Sequence, residues 1–419
     1  MLSRDGSRST LYLLLVGAVL LASARTALAQ AAPPAAPLPP AIDDRAPTAP
    51  SLAPTPGSNV PPSPTATPSN PGQNTPASMP APQNAPPPDN GSLLAYSLAS
   101  VPDMIGDSPS TGRYAIGLLG RYPASIPLAG GDGYAKIGDD TSPVPTDRVF
   151  FDYNYFDRAV QTGSGAFIGL NRFTFGVEKT FFDGWCSIEV ETPIDTGLND
   201  TQFLGGPAGA SEGTVFGNMA LTLKCLIYQS EGLAVAAGSM VDLPTAPNAR
   251  FVNDPDSITV RNDSVHVAPF VGFAFAPNCD FFAIGFVQAD FDTNGDPVYE
   301  HFPTTDPYLG RFRDPSLLYL DLSTGYWLFR DEPACGRYLT GIAPVVELHY
   351  TTNLQNYRGV DGAIQPLYAG TDCLNLTAGL HFQMGPCSML TLAGVVPLTG
   401  SERDREFDSE ATAQFDRRF

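Results

Sequence analysis

The chain has 419 residues and carries 43 Asp and Glu against 23 Lys and Arg, a formal net charge of −20. This acidic balance argues against nucleic acid as a partner, because nucleic-acid-binding surfaces are basic. A solvated acidic surface explains the charge, and an acidic vestibule that favours cations is the functional alternative. Beyond the N-terminus, no run of the sequence approaches the roughly 20 apolar residues that a membrane helix requires.

The first 29 residues have the pattern of a secretory signal peptide. Arg4 and Arg8 precede an apolar core at 11–21, and Ala27-Leu28-Ala29 supplies a small-residue cleavage site. The apolar core is too short for a membrane-spanning helix. The sequence therefore predicts export into a Gram-negative-type envelope. The mature chain is either soluble or a closed β-barrel, since only helices and closed barrels satisfy their backbone in lipid.

Two segments of different character follow the signal peptide. Residues 30–90 are rich in Pro, Ala, Ser, Thr and Asn, so they cannot bury a core and are predicted to be a disordered, Pro-rich linker. This linker is either a passive spacer or a periplasmic tether that contacts the cell wall. Residues 91–148 mix apolar residues with glycine-rich stretches and fit neither a long helix nor a regular strand. They form either a plug in or under the next domain or an irregular lead-in.

From Val149 onward the apolar residues recur with a period of two, which is typical of strands with one apolar and one polar face. In the first of these strands, for example, Phe151 and Tyr153 alternate with Asp152 and Asn154. Bacterial barrels have an even number of strands. Twelve such segments are predicted here: 149–157, 171–182, 184–192, 214–228, 232–243, 264–276, 280–291, 316–329, 338–350, 373–384, 388–396 and 410–419.

The connections between these segments alternate in length. Short turns, such as Asp183-Gly184, alternate with long polar loops, such as 292–315. Short turns at one end and long loops at the other are typical of a transmembrane barrel, and the last segment ends on an aromatic residue, Phe419, as many such barrels do. The predicted fold is all-β, a transmembrane antiparallel up-and-down β-barrel of about 12 strands over 149–419. Pro269 and Pro344 interrupt predicted strands, and each is expected to mark either a bulge or a shift from the predicted register.

Short motifs add a family resemblance. The stretch Phe216-Gly217-Asn218-Met219-Ala220-Leu221-Thr222-Leu223-Lys224 leads to a strand that closes on Leu243-Pro244-Thr245. This resembles the phenol-degradation meta-pathway (MetA-type) transporter family, in which a G-D-x-x-L-x-x-K strand leads to one ending in L-P-T-G. Asn218 and Ala246 depart from that pattern, since Asp and Gly are usual there. The resemblance covers roughly 150–419 and implies a porin-like outer-membrane channel for the passive passage of small molecules, including apolar or aromatic ones.

The inner face of the predicted barrel is polar, and its charged side chains are expected to tune selectivity in a solute pathway. The alternative is an interior of satisfied ion pairs that conducts nothing. Such a closed barrel would have a structural or surface-display role, with loops that bind a partner. The lumen-lining candidates are Arg172, Glu178, Glu189, Glu191, Lys224, His266, Asp321, Glu347, His349 and His381.

Catalytic and metal-binding functions are not predicted. Ser264 and His266 share a strand face, but neither a lipase-type motif nor G-x-S-x-G surrounds them, so an outer-membrane hydrolase is the weakest functional hypothesis. The inward histidines lie on separate strands, so neither a metal site nor a cofactor is expected. The expected partners are outer-membrane lipid and a small-molecule solute.

Six cysteines in an exported chain permit disulfides. Cys186 and Cys225 lie near the same end of adjacent predicted strands and form the first candidate pair. Cys279 and Cys335 lie on neighbouring short turns and form the second. Either bond would pin the periplasmic rim of the barrel, and free thiols are the alternative.

Overall fold

The computed structural model describes the following residues: 98, 101–107, 112–118, 120, 122–126, 136–205, 212–330, 338–356, 358–366, 372–399 and 405–419. The predicted signal peptide and Pro-rich linker lie outside them. Within the described part, regular structure is organised as 22 strands, numbered β1 to β22 in chain order. No helix there has the length and apolarity needed to cross a membrane.

Twelve antiparallel strands form a closed barrel, as predicted. They are β3 (Arg148–Gln161), β4 (Phe167–Phe181), β5 (Cys186–Thr196), β8 (Met219–Ser230), β9 (Leu233–Leu243), β12 (His266–Phe275), β13 (Phe281–Asp292), β16 (Ser316–Tyr326), β18 (Leu339–Gln355), β20 (Asp372–Met384), β21 (Ser388–Pro397) and β22 (Ser409–Arg418). Each strand pairs with its neighbours in this order, and β22 pairs with β3, so the barrel has no free edge. Each predicted segment matches one strand to within a few residues, with two exceptions. Segment 214–228 is divided into β7 (Thr214–Phe216) and β8, and segment 316–329 extends from β16 into the two-residue strand β17 (Phe329–Arg330).

Side chains alternate between the two faces of the barrel wall. In β22, Thr412, Gln414 and Asp416 are buried inside, whereas Phe415 is exposed on the outside. The same alternation leaves large apolar side chains on the outer surface of the barrel strands, among them Phe175, Val177, Leu223, Val271, Val287, Leu322 and Leu348. An apolar exterior around a polar interior is the pattern of a transmembrane barrel.

The structure does not show the bulges that were expected at two prolines. Pro269 pairs with Ser239 and Pro344 pairs with Leu380 without any shift in register. On their other sides the ladder is interrupted. Pairing between β12 and β13 omits Pro269, and Pro344 lies between the residues that pair with β16 and those that pair with β17 (Phe329–Arg330). A proline has no N–H to donate, so it is tolerated where the ladder lacks a partner.

The long loops also differ from expectation, because they contain strands of their own at the end of the barrel opposite the short turns. Five short strands form one sheet: β6 (Thr201–Phe203), β10 (Ala249–Asn253), β11 (Asp256–Val260), β14 (Asp296–His301) and β15 (Tyr308–Phe312). Three more form another: β1 (Gly112–Ile116), β2 (Tyr122–Ile126) and β19 (Ile364–Pro366). The two sheets share an apolar core that includes Tyr114, Phe251 and Phe312. We call these eight strands the cap.

The chain that precedes the barrel passes through its interior. Near the short turns, Arg418 donates a hydrogen bond to the carbonyl of Val101 at 3.3 Å, and towards the cap Asn375 donates to the carboxylate of Asp107 at 2.7 Å. After β1 and β2, the chain returns through residues 136–147 to Arg148 at the start of β3. Among the described residues, 98, 101–107 and 136–146 therefore lie inside the barrel, and we call them the internal segment.

Candidate functional site

The charged centre of the lumen is Arg148, which is 0% exposed. Two of its carboxylate neighbours belong to the internal segment and three to the barrel wall, so one guanidinium joins the two parts. A guanidinium suits this role because its donors point in several fixed directions and it keeps its charge when buried. Five carboxylates lie within 3.7 Å of its nitrogens: Asp103, Asp140, Glu178, Glu189 and Asp416.

A second charged cluster holds the internal segment at mid-height. Lys136 forms ion pairs with Asp107 and with Asp321, the latter at 3.0 Å. On the wall, the two ring nitrogens of His349 lie 2.8 Å from Asp321 and 3.2 Å from Glu347. The Glu347 carboxylate accepts the backbone N–H groups of residues 105 and 106 at 2.9–3.1 Å. These bonds fix the backbone of the internal segment as well as its charged side chains.

The other side of the lumen is apolar. The internal segment packs Val101, Met104 and Ile105 into a buried cluster with the wall residues Phe270 and Phe282. Further members of this cluster include Ala234, Ala274, Ile284, Phe286 and Trp327, all from the arc of β9, β12, β13 and the end of β16. The lumen therefore has a charged arc and an apolar arc, with the internal segment between them.

A small polar cavity remains between the internal segment and the charged arc. Its volume is about 40 Å³. Asp152 is 6% exposed at this cavity, and one of its carboxylate oxygens lacks a hydrogen-bond partner, as does one oxygen of Asp140. Arg172 reaches the same cavity while forming a two-point contact with Asp195 at 2.9 and 3.1 Å. The lining is Ile105, Lys136, Asp139, Asp140, Asp152, Asn154, Arg172, Thr174, Glu191, Pro193 and Gln414.

All ten predicted lumen residues lie on the inner face, but they do not form one site. Three of them lie around Arg148: Glu178 and Glu189 contact its guanidinium, and Lys224 lies 3.0 Å from Glu178. Three others lie in the second charged cluster, around Lys136: Asp321, Glu347 and His349. Arg172 and Glu191 face the cavity, and Glu191 is only half-buried. His381 binds Thr391 at 2.8 Å, and His266 lies at the rim below the cap. A role of these ten residues in selectivity is a proposal.

The sequence analysis missed the charged residues of the internal segment and Arg148. The short run Lys136-Ile137-Gly138-Asp139-Asp140 concentrates charge within an otherwise apolar, glycine-rich region, and that contrast was an available signal. Arg148 directly precedes the first predicted strand, so the period-two pattern did not include it.

The rim around His266 is rich in carboxylates. The ring contacts Asp290 through Nδ1 at 3.2 Å and Asp314 through Nε2 at 3.5 Å. Burial raises the pKa of Asp314 to about 6, although contact with His266 opposes the shift. Burial, together with the nearby charge of Asp314, raises the pKa of Asp296 to about 8. Ser264 donates to Asp292 at 2.5 Å, so its hydroxyl is directed to a carboxylate rather than to His266. That arrangement gives no support to a serine hydrolase.

One predicted disulfide is confirmed and the other is not. Cys186 and Cys225 face each other across β5 and β8 and are bonded. Cys279 is a free, exposed thiol, and its proposed partner Cys335 lies outside the described residues. Equal parity on paired strands identifies the first pair, whereas proximity of two turns in sequence order was not sufficient for the second.

Comparison with known proteins gives matches among solved structures alone. No family model matches the chain, and neither does any curated protein. An outer-membrane channel from Pseudomonas putida F1 is 12% identical, with 68% of this chain and 100% of that chain covered and a TM-score of 0.44. The Pseudomonas putida toluene transporter TodX is 9% identical (76% and 99% covered, TM-score 0.37), and the Ralstonia pickettii toluene transporter TbuX is 11% identical (70% and 97%, TM-score 0.32). The first of these is described as an outer-membrane channel and the other two as toluene transporters.

Proposed function

We propose that this protein is an outer-membrane channel for small apolar or aromatic molecules, and that the described conformation is its closed state. The observation that carries the proposal is the lumen itself, which has a continuous apolar arc beside a charged arc. A barrel filled only with water and charge would not offer an apolar solute a surface, whereas Phe270, Phe282 and Phe286 line the inside of this wall.

The size of the cavity between the described internal segment and the charged arc supports the closed state. A cavity of about 40 Å³ is far smaller than the roughly 150 Å³ that takes up one benzene molecule in an engineered protein. Passage of a solute therefore requires the internal segment to move. Its attachments to the wall are side-chain hydrogen bonds, ion pairs and apolar contacts, whereas the wall strands pair with one another in a closed ring.

The structure of the family-like motifs supports the MetA-type assignment within this proposal. The side-chain oxygen of Asn218 accepts the backbone N–H groups of Thr245 and Ala246, both at 3.1 Å. The hydroxyl of Thr245 in turn accepts the N–H of Met219 at 2.8 Å. The two motifs thus join at one corner, and an Asp at position 218 would offer the same acceptor oxygen. The departure at Asn218 is compatible with the resemblance for that reason.

An engineered disulfide between the internal segment and the wall, which can be formed and reduced, tests the proposal. Asp107→Cys with Asn375→Cys, in a chain whose native free cysteines are replaced by serine, would join the internal segment to the wall where the two side chains now touch at 2.7 Å. The protein is reconstituted into planar bilayers for conductance and expressed in porin-depleted cells for uptake of a radiolabelled monoaromatic compound. We expect conductance and uptake in the reduced state and loss of both on oxidation.

A second candidate is a closed barrel with a structural or surface-display role. The cap favours it, because two sheets with their own apolar core cover the mouth of the barrel. The same experiment separates the two functions. A folded barrel, verified by its heat-modifiable mobility on a gel, that neither conducts nor takes up solute in the reduced state would favour the closed barrel and contradict the channel.

A further inference from the structure

A cluster of metal-ligating side chains lies at the rim of the barrel below the cap, away from the lumen clusters. His266, Asp292 and Asp314 each offer a nitrogen or oxygen atom, and these atoms all lie within 4.8 Å of one another. The three residues come from the start of β12, the end of β13 and the chain just before β16. We call these three residues the rim cluster.

One carboxylate of the rim cluster is incompletely satisfied. Asp314 is 7% exposed, and its Oδ1 has no hydrogen-bond partner. Its backbone N–H donates to Asp292 Oδ2 at 3.0 Å, which brings the two aspartates together. A buried carboxylate oxygen beside a second carboxylate is costly unless a cation or proton reaches it. The orphan oxygen is therefore an observation that points to a ligand independently of the cluster's acidity.

The orientation of His266 is the second argument. Its Nδ1 lies 3.2 Å from both oxygens of Asp290, while its Nε2 is turned to the Asp314 carboxylate. In metal sites, a ligating histidine commonly donates its other ring N–H to a carboxylate, which fixes the tautomer and the ring orientation. Asp290, which is 0% exposed, holds that position here.

Further carboxyl groups surround the rim cluster. Besides Asp290, the buried Asp296 lies close by and accepts the N–H groups of residues 263 and 264 at 2.8 Å. The guanidinium of Arg311 donates to the backbone carbonyls of residues 294 and 295 rather than to a carboxylate of the rim cluster. Asp292 is the first residue of the run Asp292-Thr293-Asn294-Gly295-Asp296. Asp or Asn stands at every second position of this run, as in part of a calcium-binding loop. The imidazole, however, suits a transition metal better than calcium.

We propose that the rim cluster binds one divalent transition-metal ion of the zinc class through His266 Nε2 and one oxygen each from Asp292 and Asp314. Asp290 is a positioning residue that orients the imidazole. The bound ion would join the ends of three barrel wall elements beneath the cap. This proposal does not depend on channel activity. The sequence analysis did not find the site because it compared histidines with one another rather than with the loop aspartates.

Metal stoichiometry in the purified full chain tests the proposal. The detergent-solubilised protein is stripped with chelator, dialysed against Zn²⁺ and measured by elemental analysis and calorimetry. We expect one equivalent of Zn²⁺ in the wild type and its loss in His266→Gln and Asp314→Asn. In Asp290→Asn, whose ligands are intact, affinity should fall about 10–100-fold. Heat-modifiable mobility shows which variants retain the folded barrel.

His301→Gln is the matched control. His301 also contacts an aspartate, Asp306, at 2.8 Å, but it lies in the exposed part of the cap and outside the rim cluster. This variant should keep one equivalent of Zn²⁺. No stoichiometric binding to the wild type would overturn the proposal and leave a protonated His266 bridging Asp290 and Asp314. Equal binding by folded wild type, His266→Gln and Asp314→Asn would overturn it as well, and so would displacement of Zn²⁺ by an equal concentration of Ca²⁺.

Discussion

Replacement of Arg148 by methionine should release the internal segment while leaving the barrel intact. The substitution preserves most of the side-chain length but removes the charge that five carboxylates share. Lys224 still neutralises part of the charge near Glu178. Asp140 and Asp103 on the internal segment would then face Glu189 and Asp416 on the wall without the intervening guanidinium.

The size of the expected effect follows from the cost of removing one partner of a buried ion pair, which is about 3–5 kcal/mol. At about 1.4 kcal/mol per factor of ten, the equilibrium between docked and released internal segment should shift by roughly 100- to 4,000-fold. The barrel sheet contributes its own closed ladder of hydrogen bonds, so most of this change should appear in docking rather than in barrel formation.

Two assays on reconstituted protein measure the release. Single-channel recording should show a higher open probability in Arg148→Met than in the wild type. Limited proteolysis should cleave the internal segment faster, while the unheated barrel keeps its mobility on a gel. The control is Arg158→Met, which removes an exposed pair with Asp408 at 3.1 Å. Because Arg158 is 48% exposed, that pair should contribute about 1 kcal/mol or less, and the phenotype should be near wild type.

The reasoning would be refuted by a folded Arg148→Met barrel with unchanged conductance and unchanged proteolysis. That result would mean that the apolar contacts alone hold the internal segment, or that the five carboxylates take up protons or cations without loss. Collapse of the barrel itself would also contradict the argument, because it would make Arg148 part of the barrel's own stability.

Three further outcomes are expected. Removal of the Cys186–Cys225 disulfide, whose cysteines are 39 residues apart, should lower the free energy of unfolding by about 2–4 kcal/mol in a urea titration of the detergent-folded barrel; an unchanged midpoint would contradict this. Gly176→Val should cost about 1–3 kcal/mol in the same titration, since even a Cβ at Gly176 would lie 2.0 Å from an inward aromatic ring. Hydrogen bonds from Lys179 and Thr180 lower the pKa of Asp147 to about 2. The ionised carboxylate therefore stabilises the rim above about pH 4, and this stabilisation is lost as the pH falls towards 2. Carboxyl NMR should show that midpoint, and Lys179→Ala should raise it.

The sequence by itself determined the barrel. Alternation with a period of two is a local property, because successive side chains of a strand point to opposite faces whatever the rest of the chain does. That property gave the twelve strands and the inward position of residues such as Glu347. It also gave the equal parity that brings Cys186 and Cys225 together.

The tertiary structure decided what fills the barrel. Arg148 meets Asp416 across 268 positions of sequence, and the amide of Ile105 meets Glu347 across 242. No local sequence pattern predicts such contacts, because they depend on the path that the internal segment takes through the closed barrel. The strands of the cap and the approach of Asp314 to His266 have the same origin. Each is a short element whose partner is distant in sequence, and the free energy that stabilises it is gained only when the two meet.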